Sequence, residues 1–411
     1  MQNPMPNPSP TPAPNPVPPP ALAARSAASG RYDTRSAAME VADQLAADGA
    51  QSPDLLFIFG SFHHRAAFAD AAHVLRRAVN PRHVIGVTAE WVVGRKHEFE
   101  QSAGLATLAL RLPGVTVTPI AFDFADGPPA NWDDAALRQR FGVSDDARAT
   151  FLFADPFSVQ APALLARIAD ILKPQTLPIM GGLASGSSQP GANVLLLDDH
   201  LSATGAVGVT LAGAVRVDPL VSPGCRPIGP TFVVTKSRGN TVLEIGGKPT
   251  LRAVQDLLER ESEADRAAAR EGLLIGIAID EYRERFGRGD FLLRNVLGAD
   301  LRRQALVIGD VVRPGRTVRF HLRDRQAAIE DLDLLLDREQ MHEPPAAVLL
   351  ATCNTRGKRL FGTPSRDAST FARRLNDPAI AGFYAAGEIG PVGNRSWLHG
   401  HAISAAIIRG V

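Results

Sequence analysis

The sequence predicts an α/β protein with two packed α/β halves, mixed β-sheets and recurring strand–helix–strand units. Short apolar runs of strand length alternate with helical patterns, and this order occurs three times along the chain. Hydrophobic residues make up 45% of the 411 residues, which is enough for sizeable cores. No break rich in Pro, Ser and Gly lies between residues 226 and 270, so we expect no flexible linker between the halves.

The first unit follows a predicted helix over Ala37–Ala47. An apolar strand over Asp54–Phe59 leads into a helix over Phe68–Val79, which ends shortly before a proline. A second buried strand over Val84–Ala89 closes the unit. The distance between the two strands along the chain is long enough for a crossover between parallel strands.

The same order is found twice more. The second unit is predicted to contain a strand, a helix and a strand at Thr150–Phe153, Pro162–Leu172 and Leu177–Ala184. The third contains the same elements at Ala347–Leu350, Thr370–Leu375 and Ala381–Ala385. Each closing strand carries Gly-x-x-Ala, at Gly86 and Ala89, Gly181 and Ala184, and Gly382 and Ala385. Structural recurrence and chance both explain this pattern, because Gly and Ala are common in the chain.

Stretches rich in β-forming residues lie between these units. Strands are predicted over 193–197 and 205–217, and a hairpin over 231–245 turns at Lys236–Asn240. A helix over Leu251–Glu259 follows. A second hairpin is predicted over Ala305–Leu322, with its turn at Arg313–Arg316, before an amphipathic helix over Gln326–Gln340.

Composition and charge exclude several classes of protein. The net charge of +1, from 44 basic and 43 acidic residues, argues against a large surface for nucleic acid or anionic membrane. No apolar run is long enough to span a bilayer, and the N-terminus lacks a secretory signal. The two cysteines, Cys225 and Cys353, are too few for a disulfide framework or a four-cysteine zinc site, so we expect a cytoplasmic protein.

Three segments are expected along the chain. Residues 1–20 are about half proline, so we predict a disordered tail over residues 1–30. A first domain is predicted over 31–249 and a second over 250–411.

Several long motifs resemble one protein family. The C-terminal motifs are AGFYAAGEIGPVGNRSWLHGH, CNTRGKRLFG with Asp367 downstream, and GDFLLRNVLGADLRRQALVIGDVVRPGRTVRFHLRDRQAAIEDL. The N-terminal motifs are DDHLSATGAVGVTLAGAVRV and GCRPIGPTFVVTKSRGNTVLEIGGKP. Together they resemble the FIST family over roughly residues 50 to 403. The two predicted domains resemble its N and C halves.

The resemblance implies an intracellular sensory module. FIST domains occur alone, fused to bacterial signalling proteins, and in an F-box subunit of an animal ubiquitin ligase. They are proposed to bind small ligands, with amino acids among the candidates. The sequence shows no output domain, so we expect either a stand-alone sensor or a partner for a separate signalling output protein.

Ligands of open α/β sheets bind beyond the carboxyl ends of strands, and polar residues follow several predicted strands. This edge is expected to form a cleft. The residues predicted to bind a ligand are Ser61, Thr88, Asn354, Arg356, Asp367, Gly387 and Glu388. No catalytic residue, metal site or cofactor is predicted.

Arg356 and Glu388 are the most specific pair in this set. An arginine recognises a carboxylate with two parallel hydrogen bonds, and a glutamate accepts from an ammonium group. Together they would suit a zwitterionic amino acid. The structural alternative is that Arg356 pairs with Glu388 or Asp367 and ties two loops together.

Two other functions stay open at this stage. In the first, Cys353 is the nucleophile of an enzyme and His399 is its base; an inert buried thiol is the alternative. In the second, the protein is an interaction scaffold, which a cleft filled by side chains would favour. The pairs His63 and His64, and His399 and His401, lack known metal-binding spacings. The glycine-rich run over 181–191 matches no nucleotide-binding motif and is interpreted as a turn.

Overall fold

A computed structural model of the chain describes residues 21–122, 131–173 and 176–411. Most of the predicted tail, residues 1–20, lies outside the described residues. The tail was predicted to reach residue 30, which is wrong, because residues Ala23–Ser29 form a strand that pairs with Leu105–Arg111. This strand is too rich in Ala and Ser to be recognised from hydrophobicity.

The described residues form the following strands and α-helices. The strands are β1 (Ala23–Ser29), β2 (Leu55–Ser61), β3 (His83–Ala89), β4 (Val92–Gly94), β5 (His97–Phe99), β6 (Leu105–Arg111), β7 (Val115–Phe122), β8 (Ala147–Ala154), β9 (Ile179–Leu183), β10 (Leu195–Leu197), β11 (His200–Ser202), β12 (Ala206–Gly213), β13 (Val215–Pro223), β14 (Cys225–Arg238), β15 (Thr241–Ile245), β16 (Lys248–Pro249), β17 (Leu273–Ala278), β18 (Phe291–Asp300), β19 (Ala305–Ile308), β20 (Thr317–Arg323), β21 (Ala347–Cys353), β22 (Ala379–Ala385), β23 (Glu388–Val392), β24 (Arg395–His399) and β25 (Ala402–Gly410). The α-helices are α1 (Thr34–Ala47), α2 (Phe68–Val79), α3 (Asp134–Arg140), α4 (Ala161–Leu172), α5 (Thr250–Leu258), α6 (Glu263–Gly272), α7 (Arg325–Glu339), α8 (Lys358–Phe361) and α9 (Arg366–Arg374).

Three six-stranded sheets share one plan. Their strand orders are β1-β6-β2-β3-β10-β11, β7-β12-β8-β9-β23-β24 and β13-β25-β21-β22-β4-β5. In each, the two central strands are parallel and are flanked by antiparallel strands. The central pairs are the three strand–helix–strand units predicted from the sequence, so the recurrence is structural.

The recurring glycines occupy equivalent places in the three units. Gly86, Gly181 and Gly382 lie opposite Ile58, Leu152 and Leu350 in the parallel register. A Cβ at any of these glycines would collide with the carbonyl oxygen of the residue opposite. The backbone is therefore too close for a side chain at this point of each sheet.

Short hairpins interlock the sheets. The hairpin β4–β5 follows β3 in the chain but extends the third sheet. In the same way, β10–β11 follows β9 and extends the first sheet, and β23–β24 follows β22 and extends the second. The hairpin that follows each unit thus extends the sheet of another unit. As a result, two of the three sheets combine strands from both halves of the chain.

A cluster of aromatic rings fills the centre between the sheets. The ring centroids of Phe59, Phe153 and Phe383, one from each unit, are 5.4 to 5.7 Å apart. All three side chains are fully buried. Edge-to-face and offset contacts of this kind add to the stabilisation from apolar burial.

A seven-stranded sheet is inserted in the chain between β13 and β21 of the third sheet, in the order β14-β20-β17-β18-β19-β15-β16. The predicted hairpin between β14 and β15 is confirmed. The hairpin predicted over Ala305–Leu322 is wrong: β19 pairs with β15 and β18, whereas β20 pairs with β14 and β17. The turn at Arg313–Arg316 redirects the chain to the other side of this sheet, where longer partner strands are available.

The predicted fold class is confirmed. Both halves of the chain are α/β, and the sheets that they share mix parallel and antiparallel strands. Within the described ranges, no helix is both long enough and apolar enough to cross a membrane.

Candidate functional site

The closing strands of the three units converge at their carboxyl ends. Backbone and side-chain hydrogen bonds connect them, from Tyr384 N to Trp91 O at 3.0 Å, from Leu183 N to Gly387 O at 2.8 Å and from Glu90 N to Ser185 Oγ at 2.9 Å. The carboxyl ends of all three parallel pairs therefore belong to one continuous region, which we call the carboxyl edge.

Ser61 and Thr88 lie at this edge, at the ends of β2 and β3. Ser61 Oγ accepts from Gly104 N at 2.9 Å, and Thr88 Oγ1 accepts from Val194 N at 2.9 Å. Both side chains are fully buried. Their hydroxyl groups are thus engaged with backbone, and they anchor neighbouring loops to the strand ends.

Arg356 and Asp367 form a buried ion pair between the end of β21 and helix α9. Arg356 Nε and Nη2 donate to the two carboxylate oxygens of Asp367 at 2.9 and 3.1 Å. The two side chains are only 1% and 2% exposed. The guanidinium also packs over the Phe361 ring, 5.3 Å from its centroid. Arg356 Nη1 has no hydrogen-bond partner among the described residues.

Glu388 begins β23 and is fully buried. Its Oε2 accepts from Ala402 N at 3.1 Å, while Oε1 has no partner among the described residues. Burial raises the pKa of the Glu388 carboxyl to about 8, against a partly compensating hydrogen bond from Ala402. At neutral pH this carboxyl is therefore mostly protonated.

Cys353 connects Glu388 to a chain of polar side chains. Its Sγ lies 3.1 Å from Thr355 Oγ1, which lies 3.0 Å from His401 Nδ1. His401 Nε2 in turn lies 3.0 Å from Asn295 Oδ1. Burial, with the neighbouring Glu388 carboxyl, raises the pKa of the Cys353 thiol to about 12. We call Cys353, Thr355, Arg356, Glu388 and His401 the Cys353 cluster.

The structure does not support the alternative in which His399 serves as the base of Cys353. His399 Nε2 lies 3.0 Å from Gly390 O, and burial lowers the pKa of its ring to about 4. The histidine that reaches Cys353 is His401, through Thr355. The sequence offered one signal for this, the position of His401 two residues after His399, but only the fold shows which ring faces the thiol.

The carboxyl edge is closed over these side chains, so the expectation of an open cleft is wrong at this place. Arg356, Asp367 and Glu388 are buried, as is the backbone at Gly387. Asn354 is half-buried, and Ala386 is exposed. These last two residues flank Cys353 and Gly387 in the chain, and we call them the rim. In the described part of the chain, no group of three or more His, Cys, Asp or Glu side chains is arranged to hold a metal ion.

Comparison with known proteins identifies the family. A model of the FIST N domain matches residues 54–248, and a model of the FIST C domain matches residues 250–391. The chain belongs to the FIST family. Membership of this family points to a sensory role in signal transduction.

This FIST protein is similar to uncharacterized mycobacterial proteins. One from Mycobacterium bovis is 35% identical over 379 residues, which cover 91% of this chain and 96% of that protein. Another, from Mycobacterium tuberculosis, is 36% identical over 387 residues with the same coverage. These relatives extend the family assignment over nearly the whole chain.

A solved structure also resembles the FIST chain weakly. It is described as "Cyanuric acid hydrolase: evolutionary innovation by structural concatenation". The two chains are 10% identical with a TM-score of 0.34, over 95% of this chain and 100% of the other. A likeness this weak says nothing about the function of the FIST chain.

Proposed function

We propose that this FIST protein is a cytoplasmic small-ligand sensor of signal transduction that binds a free amino acid or a related metabolite at the Cys353 cluster. The observation that supports this is a pair of buried atoms of opposite character, each without a partner among the described residues. They are the donor Arg356 Nη1 and the acceptor Glu388 Oε1.

Leaving such atoms unpaired is costly. A buried polar group without a partner costs about 1–3 kcal/mol, and more when it is charged. The Arg356 guanidinium lowers the pKa of the Glu388 carboxyl against the larger effect of burial, so the two groups are close enough to interact. A ligand that supplied partners for both atoms would recover this free energy.

An α-amino acid carries the two complementary groups. Its carboxylate would accept from Arg356 Nη1, while Asp367 holds the other face of the guanidinium in place. Its ammonium group would donate to Glu388 Oε1. Gly387 keeps the backbone beside Glu388 free of a side chain, and Ser61 and Thr88 hold the strand ends that frame the site.

Entry requires the rim at Asn354 and Ala386 to open. This opening gives the sensor two states, closed without ligand and remodelled with it, and a ligand shifts the balance by its preference for one of them. We propose that a separate signalling output protein reads this difference.

Binding should release a proton. The Glu388 carboxyl, with its pKa of about 8, is mostly protonated at pH 7, whereas an ammonium partner favours the ionised form. We therefore expect calorimetry with L-amino acids at pH 7 to give different binding enthalpies in phosphate and in Tris buffer. If one proton is released, the enthalpies differ by the difference between the ionisation enthalpies of the two buffers. As the pH is raised toward 8 the proton release should become smaller, because more of the carboxyl is already ionised before binding.

The test combines two measurements. Native mass spectrometry of the purified protein should show a co-purifying small molecule, and titration with the twenty L-amino acids should find at least one that binds. Glu388→Gln should weaken that binding by about 2–5 kcal/mol. The matched control is Glu98→Gln, which changes another buried glutamate with a similarly raised pKa. The proposal fails if no amino acid binds, or if both variants bind as the unmodified protein does.

A further inference from the structure

The three interlocking hairpins end in equivalent turns, and each turn meets the loop before the closing strand of the unit whose sheet it extends. The first residue of each turn has a left-handed backbone, with φ of 56° at Arg95, 50° at Asp198 and 66° at Gly393. Arg95 N donates to Ile380 O at 2.8 Å, and Asp198 N donates to the equivalent Val84 O at 2.7 Å. We call the contact of each turn with this loop a seam.

In the seam of the first sheet, the turn residue closes the contact. Asp198 Oδ1 accepts from Val84 N at 2.9 Å and lies 3.3 Å from Arg76 Nη2, while Oδ2 lies 3.2 Å from His83 Nδ1. A carboxylate is therefore surrounded by donors that the first unit itself supplies.

In the seam of the third sheet, the equivalent residue carries the opposite charge and the contact stays open. A cavity of about 580 Å³ lies there, lined by Arg25, Ser26, Gln44, Arg95, Lys96 and His97 among others. In the seam of the second sheet, Gly393 has no side chain and lines two smaller cavities, of about 420 and 230 Å³. The volume at Arg95 is in the range of small-molecule sites, about 300–1,000 Å³.

The charges in this cavity leave a positive excess. Lys96 Nζ pairs with Asp377 Oδ2 at 2.7 Å. Arg25 donates only to backbone carbonyls, to Asp48 O at 2.7 Å and Ala24 O at 2.8 Å. Among the described residues, the Arg95 side chain makes no hydrogen bond or ion pair. Two arginines thus face the single unpaired carboxylate of Asp48 on the lining.

We propose that the cavity at Arg95 binds a small organic anion through its carboxylate or phosphate oxygens. In the seam of the first sheet, the Asp198 carboxylate provides the negative charge. In the seam of the third sheet, a bound ligand would provide it and Arg95 would bind that ligand. The guanidinium recognises two oxygens of such a group at once, and Arg25 adds a second positive charge. This site is separate from the Cys353 cluster and does not depend on the proposed function.

The cavity joins the two ends of the molecule. Ala24 and Ser26 come from β1, whereas Asp377 and Ala379 come from the start of β22 in the C half. Ser26 Oγ already accepts from Ile380 N at 3.1 Å across this seam. A bound anion would add a second connection, so ligand should stabilise the contact between the N-terminal strand and the third sheet.

The experiment is calorimetric titration with two probes, inorganic phosphate and succinate, at constant ionic strength set with chloride. The unmodified protein should bind at least one of them saturably, and Arg95→Gln should weaken that binding about tenfold or more, as expected for loss of a charge-assisted hydrogen bond. Arg302→Gln is the matched control, because Arg302 is another exposed arginine far from this cavity in the sequence. Lys96→Gln is a second test variant in case Arg95→Gln does not fold.

Each outcome decides a point. Preference for succinate assigns the site to carboxylates, and preference for phosphate assigns it to phosphate groups. Binding of neither probe, or equal binding by Arg95→Gln and Arg302→Gln, overturns the proposal.

Discussion

Two buried glutamates, Glu98 and Glu388, differ in how many of their carboxyl oxygens have a hydrogen-bond partner. Glu98 is 6% exposed and Glu388 is fully buried. Burial raises the pKa of both carboxyls to about 8, with the Asp367 carboxylate adding to the effect at Glu98. By pKa alone the two residues cannot be told apart.

Their hydrogen bonds separate them. Glu98 Oε1 accepts from Ala368 N at 2.8 Å, and Oε2 accepts from the Tyr384 hydroxyl at 2.8 Å. Glu388 has a backbone donor for one oxygen only, and the weakly donating Cys353 thiol lies beside its carboxyl. A buried carboxyl with both oxygens bonded fixes neighbouring elements to each other, whereas one with a free oxygen can still receive a ligand. A perturbed pKa therefore marks a candidate, and the unpaired atom distinguishes the binding site from the structural one.

The position of Glu98 explains its structural role. It lies on β5, which follows the first unit in the chain but extends the third sheet. Its carboxyl group accepts hydrogen bonds from α9 and from β22 of the third unit. Nearby, Gly357 has a φ of 58°, and a Cβ there would collide with the Tyr384 hydroxyl. At Glu98 the hairpin exchange is thus secured by hydrogen bonds that leave neither carboxylate oxygen free.

The largest effect on the free energy of unfolding should come from the buried ion pair between Arg356 and Asp367. Arg356→Met would leave the buried Asp367 carboxylate without its partner, and breaking a buried pair in this way costs about 3–5 kcal/mol. Urea denaturation should show this loss. Arg31→Met removes the exposed pair with Glu40 and should cost no more than about 1 kcal/mol. A similar loss in both variants would show that the buried pair is not special.

Replacing each glutamate with alanine should lower the free energy of unfolding by different amounts. Glu98→Ala removes the acceptor for two buried donors, so we expect the free energy of unfolding to fall by about 2–4 kcal/mol. Glu388→Ala removes the acceptor for one, and a loss of about 1–2 kcal/mol is expected. Both are measured by urea denaturation at pH 6, where each carboxyl is mostly protonated. If Glu388→Ala proves the more damaging change, Glu388 is the structural residue and the comparison is reversed.

The pH dependence of stability gives an effect whose sign is fixed by the pKa of Glu388. Because the folded pKa of Glu388 is raised from 4.5 to about 8, the folded state holds a proton that the unfolded state has lost across this window. Its contribution to stability is present below pH 4.5 and is lost as the pH rises to about 8. Glu388→Gln lacks this loss, so the melting temperature of the variant relative to the unmodified protein should rise from pH 5 to pH 8. A constant difference between the two proteins would show that Glu388 is already ionised in the fold.

Much of this organisation could be predicted from the sequence, and the reasons are local. The three central strand pairs consist of continuous apolar runs, and the glycines at Gly86, Gly181 and Gly382 mark a close backbone approach that the sequence shows directly. The exchange of hairpins could not be predicted, because β4, β10 and β23 are short and their partners lie in another unit. The boundary between residues 249 and 250 stays a prediction.

The candidate site was predictable in its residue types but not in its pairing. The position of Arg356 and Glu388 after neighbouring strands predicted that they would share an edge. Which carboxylate bonds to Arg356 depends on helix α9, since it brings Asp367 under the guanidinium. That Arg356 Nη1 and Glu388 Oε1 lack partners is a property of the packed fold and leaves no trace in the sequence.

The smallest expected effect is a slow chemical reaction that reports whether the Glu388 region opens. Burial raises the pKa of both Cys353 and Cys225 to about 12, so neither thiol should react readily with iodoacetamide in the folded protein at pH 8. Cys353 lies next to Asn354 at the rim, whereas Cys225, which is also close to Arg356, begins β14 of the inserted sheet. If the rim opens as the sensor proposal requires, Cys353 should be labelled slowly but faster than Cys225, and a bound amino acid should suppress this difference. Mass spectrometry of the labelled peptides measures both rates in one sample, with Cys225 as the internal control. Equal labelling that appears only on unfolding would mean that the carboxyl edge stays closed and that Glu388, like Glu98, is structural.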